Sequence, residues 1–439
     1  MNLKKHITNV RALQFFQIFR FGVLLLISIV FTKSDLGIGQ IGVYETFLLI
    51  AGAVSFFWIG GMLQSLLGIF ENNETFGNEK NSPLLFNTFV LFTFFSVLAA
   101  IIVYLLQPLI ADLFSISGGE IPYMKILFMY IVVSDPVNLI EYIYLLKNKS
   151  LSIILYGTIT FTLQLFAVTL PILLGFDLGY GLYGLVFINI IRFVWLIIII
   201  LKYSRIQFSF GYIKEYMILS IPLIMSILIS GSAQYVDGFI ISYKFDEATF
   251  AVFRYGAREL PFIVLLLYAF GNAMTSKFSD TNNLNQASKE LKDGTKRLMH
   301  YLYPASILII LLSKYLYPIV FSPQFADSAI IFNIYLLIIV TRFVFSRVIL
   351  IGLKKTKVLF YSSLVEIVIN VALSLIFIQF WGIVGVAYAT VISYIFEKAI
   401  LVLVLSKKHK IKLSNYLDIN IYLMYSTLLI VAFVISLFL

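Results

Sequence analysis

Apolar runs long enough to cross a lipid bilayer recur from one end of this chain to the other. About 20 helical residues cover the roughly 30 Å of hydrocarbon, and in that layer only a helix or a closed barrel satisfies its own backbone polar groups. The runs fall near residues 11 to 32, 40 to 70, 83 to 110, 121 to 146, 151 to 174, 179 to 201, 216 to 242, 248 to 276, 298 to 321, 326 to 351, 357 to 379, 382 to 405 and 417 to 438. They predict an all-α integral membrane protein with about thirteen transmembrane helices, in a range of about 12 to 14. Composition agrees: 61% of the 439 residues are hydrophobic and 12% charged, against about 25% charged in soluble domains. The first run is too long for a signal peptide and lacks a small-residue cleavage site, so it is expected to be retained.

Lysine and arginine should gather in alternate, cytoplasmic loops. With a cytoplasmic N-terminus, the inner segments hold Lys4, Lys5, Arg11, Lys80, Lys147, Lys149, Lys202, Arg205 and Lys214. They also hold Lys277 to Arg297, Lys354 to Lys357 and Lys407 to Lys412, whereas the outer loops hold only Lys33 and Lys244. The net charge of +10 is therefore a topology signal, helped by attraction to anionic inner-leaflet lipid, and not a footprint for nucleic acid. Cysteine is absent, and His6, His300 and His409 lie apart near expected helix ends, which argues against a zinc or haem site. No Walker-type loop is present to make the chain an ATPase.

Two passages repeat in the same order at similar offsets. GVYETFLLIAGAVSFFWIGG from Gly42 pairs with AVFRYGARELPFIVLLLYAFG from Ala251, and GYGLYGLVFINIIRFVW from Gly179 pairs with QFWGIVGVAYATVISYI around Gly382. Close packing at glycines would explain each pattern locally, but not two matched pairs in order. The expected architecture is two six-helix lobes related as parallel repeats around a central cavity. Residues 1–201 form the first lobe, 202–215 a cytoplasmic linker, 216–405 the second lobe, and 406–439 a basic loop with an additional helix.

ARELPFIV after FRYG, the segment EIVINVALSLIFIQFWGIVGVAYATVISYI, and the helix leading into IGVYETFLLI resemble the polysaccharide-repeat flippases of Wzx type. These belong to the multidrug, oligosaccharidyl-lipid and polysaccharide exporter superfamily, and the resemblance covers nearly all of residues 1 to 405. It implies movement of an undecaprenyl-pyrophosphate-linked oligosaccharide from the cytoplasmic to the outer leaflet of a bacterial inner membrane. The product would serve a surface polysaccharide such as the O-antigen of lipopolysaccharide, and a glycan polymerase of the same pathway would be a partner. Two rivals remain: a multidrug or cation antiporter of the same fold, and a membrane-embedded glycan polymerase or ligase. The last needs catalytic groups on sizeable outer loops, and the longest outer connection, near Leu113 to Ile121, is short.

Nine cations lie within or at the edges of the spans, Arg20, Lys125, Arg192, Arg254, Arg258, Lys314, Arg342, Arg347 and Lys398, against seven acids, Glu45, Asp135, Glu141, Asp237, Glu259, Glu366 and Glu397. Such groups face the protein interior or a hydrated cavity, because lipid cannot solvate them. A cationic surplus suits an anionic cargo, and the planar fork of arginine matches phosphate oxygens. Arg254 and Arg258 are expected on one helix face, one turn apart, with Pro261 kinking the helix just after them. Asp135 before Pro136 and Ile221 before Pro222 repeat that theme.

The resemblance implies that arginines on the first and eighth spans contact the cargo's pyrophosphate, a role that falls to Arg20, Arg254 and Arg258. Alternatively, Arg258 pairs internally with Glu259 or Glu45. Glu45, Arg192, Glu259 and Arg342 are further cavity candidates. For Arg192, Arg342 and Arg347, and for Lys125, Lys314 and Lys398 near span ends, snorkelling to the headgroups is the competing expectation. Related exporters also hold a cation in the second lobe with an acid on the seventh span and Asn and Thr on the eleventh and twelfth. Asp237, Asn370 and Thr390 match, with Glu366 one turn from Asn370 as a further ion-coupling candidate. Where another carboxylate would strengthen the set, this chain has Ser374. No cofactor is expected beyond a coupling Na+ or H+.

Overall fold

The structure, a computed structural model, describes residues 9–72, 83–114, 120–279 and 283–438. Lys4, Lys5, His6 and Lys80 lie outside the described residues. Among those residues every regular element is helical, and the chain divides into two compact units. One comprises Met1–Tyr235 with Ser242–Ala248, the other Val236–Ile241 with Thr249–Leu439.

The first unit begins with α1 (Asn9–Lys33), α2 (Ile38–Asn72), α3 (Leu84–Leu105) and the short α4 (Gln107–Leu113). It continues with α5 (Met124–Ser134), α6 (Leu139–Leu146), α7 (Ser150–Leu173), α8 (Leu178–Tyr203) and most of α9 (Phe210–Lys244). α7 packs against both α1 and α8, and α5 against α3 and α8. Small residues permit this closeness, since lipid-soluble helices associate through packing and not through hydrophobic exclusion. A Cβ at Gly184 would lie 2.0 Å from the Ala167 carbonyl oxygen, and one at Gly61 would lie 2.6 Å from the Ile224 backbone nitrogen. The second contact ties residues 216 to 235, which the repeat boundaries place in the second lobe, to α2 instead.

Proline breaks one of these helices and spares another. Between α5 and α6 the chain takes a 3-10 turn, Pro136–Asn138. Pro136 has no N–H for the Val132 carbonyl, and the Ser96 hydroxyl donates to it at 3.0 Å instead. Asn138 Nδ2 donates to the Asp135 carbonyl at 2.9 Å. The break is thus fully satisfied and carries Asp135 at its apex. No break accompanies Pro222, which α9 carries in its interior.

The second unit holds most of α10 (Glu247–Gly256), with α11 (Pro261–Thr275), α12 (Leu284–Val320), α13 (Ser328–Leu336), α14 (Ile339–Arg342) and α15 (Ser346–Gly352). α16 (Thr356–His409), α17 (Leu413–Tyr416) and α18 (Ile419–Phe438) complete it. α18 packs along α12, where the Tyr303 and Ser426 hydroxyls lie 2.8 Å apart and the Tyr303 and Tyr425 rings stack at 5.4 Å.

The span count is lower than the thirteen expected. Among the described residues ten helices are long and apolar enough to cross a membrane, or up to eleven if the bent pair Ser328–Arg342 and Ser346–Gly352 forms one span. Two physical causes account for much of the difference. First, residues 357–379 and 382–405 fall in one element of 54 residues. A straight helix of that length would run about 80 Å, far more than a bilayer needs. The chain reverses within it at Gly382, whose φ of 55° and ψ of −138° suit only a residue without Cβ. Asn370 and Thr390, 20 residues apart, are accordingly hydrogen-bonded at 3.1 Å. Second, the span expected at 248–276 is two helices, α10 and α11, with residues 257–260 between them.

Candidate functional site

In the first unit a cavity of about 380 Å³ is lined from seven helices, α1, α2 and α5 to α9. Phe16 and Arg20 come from α1, Ser55 from α2, Asp135 and Glu141 from either side of the Pro136 break, and Gln164, Asn189 and Arg192 from α7 and α8. Arg192 is only 7% exposed. Its Nη2 donates to Gln164 Oε1 at 2.8 Å, and its guanidinium lies 4.5 Å from the Phe161 ring centre. Two neutral amides and an aromatic face therefore take the place of water, which corrects the expectation that Arg192 snorkels. Its Nε has no partner among the described residues.

Asp135, 5% exposed, is solvated in the same neutral way. The Ser55 hydroxyl donates to its Oδ2 at 2.6 Å and that of Ser134 to its Oδ1 at 3.3 Å. Arg20 lines the cavity and is exposed. Asp135 and Glu141 stand beside Arg20 and Arg192 but were not expected as site residues, although a carboxyl immediately before a mid-span proline was a readable signal. Glu45 is buried in this unit and does not line the cavity, though its neighbour Tyr44 does.

In the second unit Asp237 is buried, not hydrated at a helix end. The Tyr335 hydroxyl donates to its Oδ2 at 2.5 Å and that of Thr390 at 2.6 Å. Asn370 Nδ2 donates in turn to Thr390 Oγ1 at 3.1 Å and to Ser393 Oγ at 3.4 Å. Four buried oxygens, Asp237 Oδ1, Glu366 Oε1, Asn370 Oδ1 and Ser374 Oγ, have no partner among the described residues. Glu366, Asn370 and Ser374 follow one another at one-turn intervals on the first arm of α16 and so share a face. The hairpin at Gly382 brings Asn370 of that arm to Thr390 of the other. An all-oxygen set with unsatisfied acceptors fits a hard cation or a proton. Among the described residues no group of three or more His, Cys, Asp or Glu could hold a metal.

The segment carrying Arg254, Arg258 and Glu259 differs from expectation. α10 ends at Gly256, so Arg254 lies in its last turn while Arg258 and Glu259 lie in the non-helical link. The two arginines do not share a helix face, because the chain leaves the helix before Pro261, where the residue ahead of a proline disfavours helical geometry. The last turn of α10, just ahead of the link, is held in place by its neighbours. The Tyr317 hydroxyl donates to the Tyr255 carbonyl at 3.0 Å and that of Ser328 to the Val252 carbonyl at 2.7 Å. A Cβ at Gly256 would lie 2.5 Å from the Ser328 carbonyl oxygen. Arg258 stacks over the Tyr255 ring at 4.5 Å.

Glu259 accepts from Arg342, Nε to Oε2 at 3.1 Å and Nη2 to Oε1 at 2.5 Å, and both side chains stay partly exposed. Arg347 and Lys398 both meet the buried carboxylate of Glu397, at 3.5 and 3.2 Å. Lys125 and Lys314 are exposed, as snorkelling side chains are.

Residues 40–330 match the sequence profile of a family described as polysaccharide biosynthesis protein. The chain belongs to that family. No curated protein sequence matches this polysaccharide biosynthesis protein. Its fold is shared with the Lipid II flippase MurJ in an inward closed conformation, with a TM-score of 0.69 over 98% of this chain and 92% of that one, at 21% identity. A mutant of the Vibrio cholerae MATE transporter VcmN follows at a TM-score of 0.61, 14% identity, 94% of this chain and 98% of that one. A MOP superfamily transporter from Pyrococcus furiosus gives 0.55, at 13% identity over 90% and 95% of the two chains. At such identities the likeness is one of fold, and the run of long apolar helices makes this family member a multi-pass membrane protein.

Proposed function

We propose that this polysaccharide biosynthesis protein is a flippase. It moves an undecaprenyl-pyrophosphate-linked oligosaccharide from the cytoplasmic to the outer leaflet of a bacterial inner membrane, by alternating access and with its N-terminus in the cytoplasm. The family match ties the chain to polysaccharide assembly, and the fold it shares with a Lipid II flippase supplies a precedent for lipid-linked cargo. The observation that carries the reading is the first-unit cavity, where Arg20 is exposed and Arg192 keeps an unpartnered donor. A guanidinium held in a protein interior by neutral groups retains its charge for an anionic ligand. Arg20 and Arg254 are the pyrophosphate contacts in this reading, and Arg258 supports the second. Na+ or H+ at Asp237, Asn370 and Thr390, with Glu366 alongside, couples the cycle to an ion gradient.

Asp135 and Glu141 in the same cavity favour a second reading, a cation antiporter, because carboxylates attract cationic cargo. A polymerase or ligase is set aside: the similar folds belong to transporters and a flippase. Glycan export by cells carrying Arg20→Ala and Arg254→Ala together, with expression verified, separates the two. The flippase reading expects a fall of at least about tenfold, since each contact is a charge-assisted pair. Undiminished export removes these arginines from the pathway, and export of cationic dyes in its place establishes the antiporter.

A further inference from the structure

Glu259 and Arg342 form a two-point contact between the link that follows α10 and the end of α14. The end of α10 just ahead of that link is fixed without the pair, by Tyr317 on the Tyr255 carbonyl, by Ser328 on the Val252 carbonyl, and by the close approach of Gly256 to Ser328. Arg342 is placed independently too. It ends α14 beside a 45° bend, and its guanidinium carbon lies 5.3 Å from the centre of the Tyr394 ring on the second arm of α16. What the contact does satisfy is the fork itself, two parallel N–H donors on the two oxygens of one carboxylate.

Both side chains remain partly accessible, Arg342 at 25% and Glu259 at 28%. Charged groups within spans face the protein interior or a hydrated cavity and not lipid. Carboxylate and phosphate present the same pair of oxygens to a guanidinium, with the phosphate carrying more charge.

We propose that the Arg342 fork is a binding site for a phosphate or pyrophosphate group, occupied in this state by Glu259, and that an arriving anion displaces the Glu259 carboxylate. No covalent bond changes: the carboxylate leaves the two N–H donors and phosphate oxygens take them. The identity of that phosphate as part of a lipid-linked cargo rests on the flippase reading, whereas the anion site does not.

The test is titration of the detergent-purified full chain with inorganic pyrophosphate, followed by calorimetry and by the melting midpoint. Glu259→Gln should tighten binding roughly fivefold, the factor expected for removing a competing, partly exposed ion pair. Glu259→Asp keeps the charge but withdraws it by one methylene, and should fall between wild type and Glu259→Gln. Adding Arg342→Lys to Glu259→Gln should abolish the gain, because an ammonium keeps the charge and loses the fork. Unchanged or weaker pyrophosphate binding in both Glu259 variants would overturn the proposal and leave the pair a structural tie. The readout requires neither lipid nor glycan. If the gain appears while glycan export ignores Arg342→Lys, the anion site stands and its assignment to the lipid-linked cargo is what fails; loss of the flippase reading itself is read from Arg20→Ala with Arg254→Ala.

Discussion

The two units hold a buried aspartate alike, Asp135 and Asp237 each on two hydroxyls, but differ in how they hold their other charges. In the first, Arg192 rests on amides and a ring, Asp135 on two serines, and the atom left over is a donor, Arg192 Nε. In the second, Glu259 and Glu397 are neutralised by Arg342, Arg347 and Lys398, and the atoms left over around α16 are the acceptors Asp237 Oδ1, Asn370 Oδ1 and Glu366 Oε1, with the Ser374 hydroxyl. A spare buried donor invites an anion and spare acceptors invite a cation, because each otherwise bears a desolvation penalty with no return. The contrast fits part of the roles proposed above, with Arg20 beside Arg192 in the first unit and the coupling ion in the second, while Arg254 and Arg342 extend the anion contacts to the second unit.

The largest effect should come from breaking the first side of that contrast. Arg192→Ala strips the donor from Gln164 Oε1 and opens the Phe161 face, at an expected cost of about 3 kcal/mol and a lower melting midpoint. Arg192→Lys should recover only part of it, since an ammonium cannot span two amides. A melting midpoint that Arg192→Ala leaves in place would mean the guanidinium is not bound as described.

On the other side, sodium at a hundredfold excess over its Kd should stabilise the wild type by about 2.7 kcal/mol, and Asp237→Asn should abolish that response. An equal sodium response in both proteins would remove the cation site. The smallest effect sharpens the picture. Tyr335→Phe takes one donor from Asp237 Oδ2, so stability should fall by about 1 kcal/mol while sodium binds slightly more tightly. Weaker sodium binding would show instead that Tyr335 helps to build the site.

Much of the helical plan was readable in advance because hydropathy sums along a segment, and α1, α7, α8 and α18 begin and end close to the expected limits. The breaks were less readable. Pro136 and Pro261 each stand at one while Pro222 does not, although the three look alike in sequence. What separates Pro136 from Pro222 lies in the neighbours, such as Ser96 waiting for the freed Val132 carbonyl. Likewise Asp237, Asn370 and Thr390 were named together through family resemblance, and the structure does bring them together. Tyr335, which also holds Asp237, carried no signal, because a tyrosine in an apolar helix looks the same whether its hydroxyl meets a carboxylate or a headgroup.

By itself the sequence determined that this chain lives in a membrane, roughly where it crosses, and which charged residues would need company. Each of those follows from the transfer free energy of a local segment, a property of the residues in it. Which charge meets which was decided by the tertiary structure alone. Glu259 passes over the adjacent Arg258 for Arg342, 83 residues away, since helix breaks and packing, not proximity in the chain, set the direction in which a side chain points.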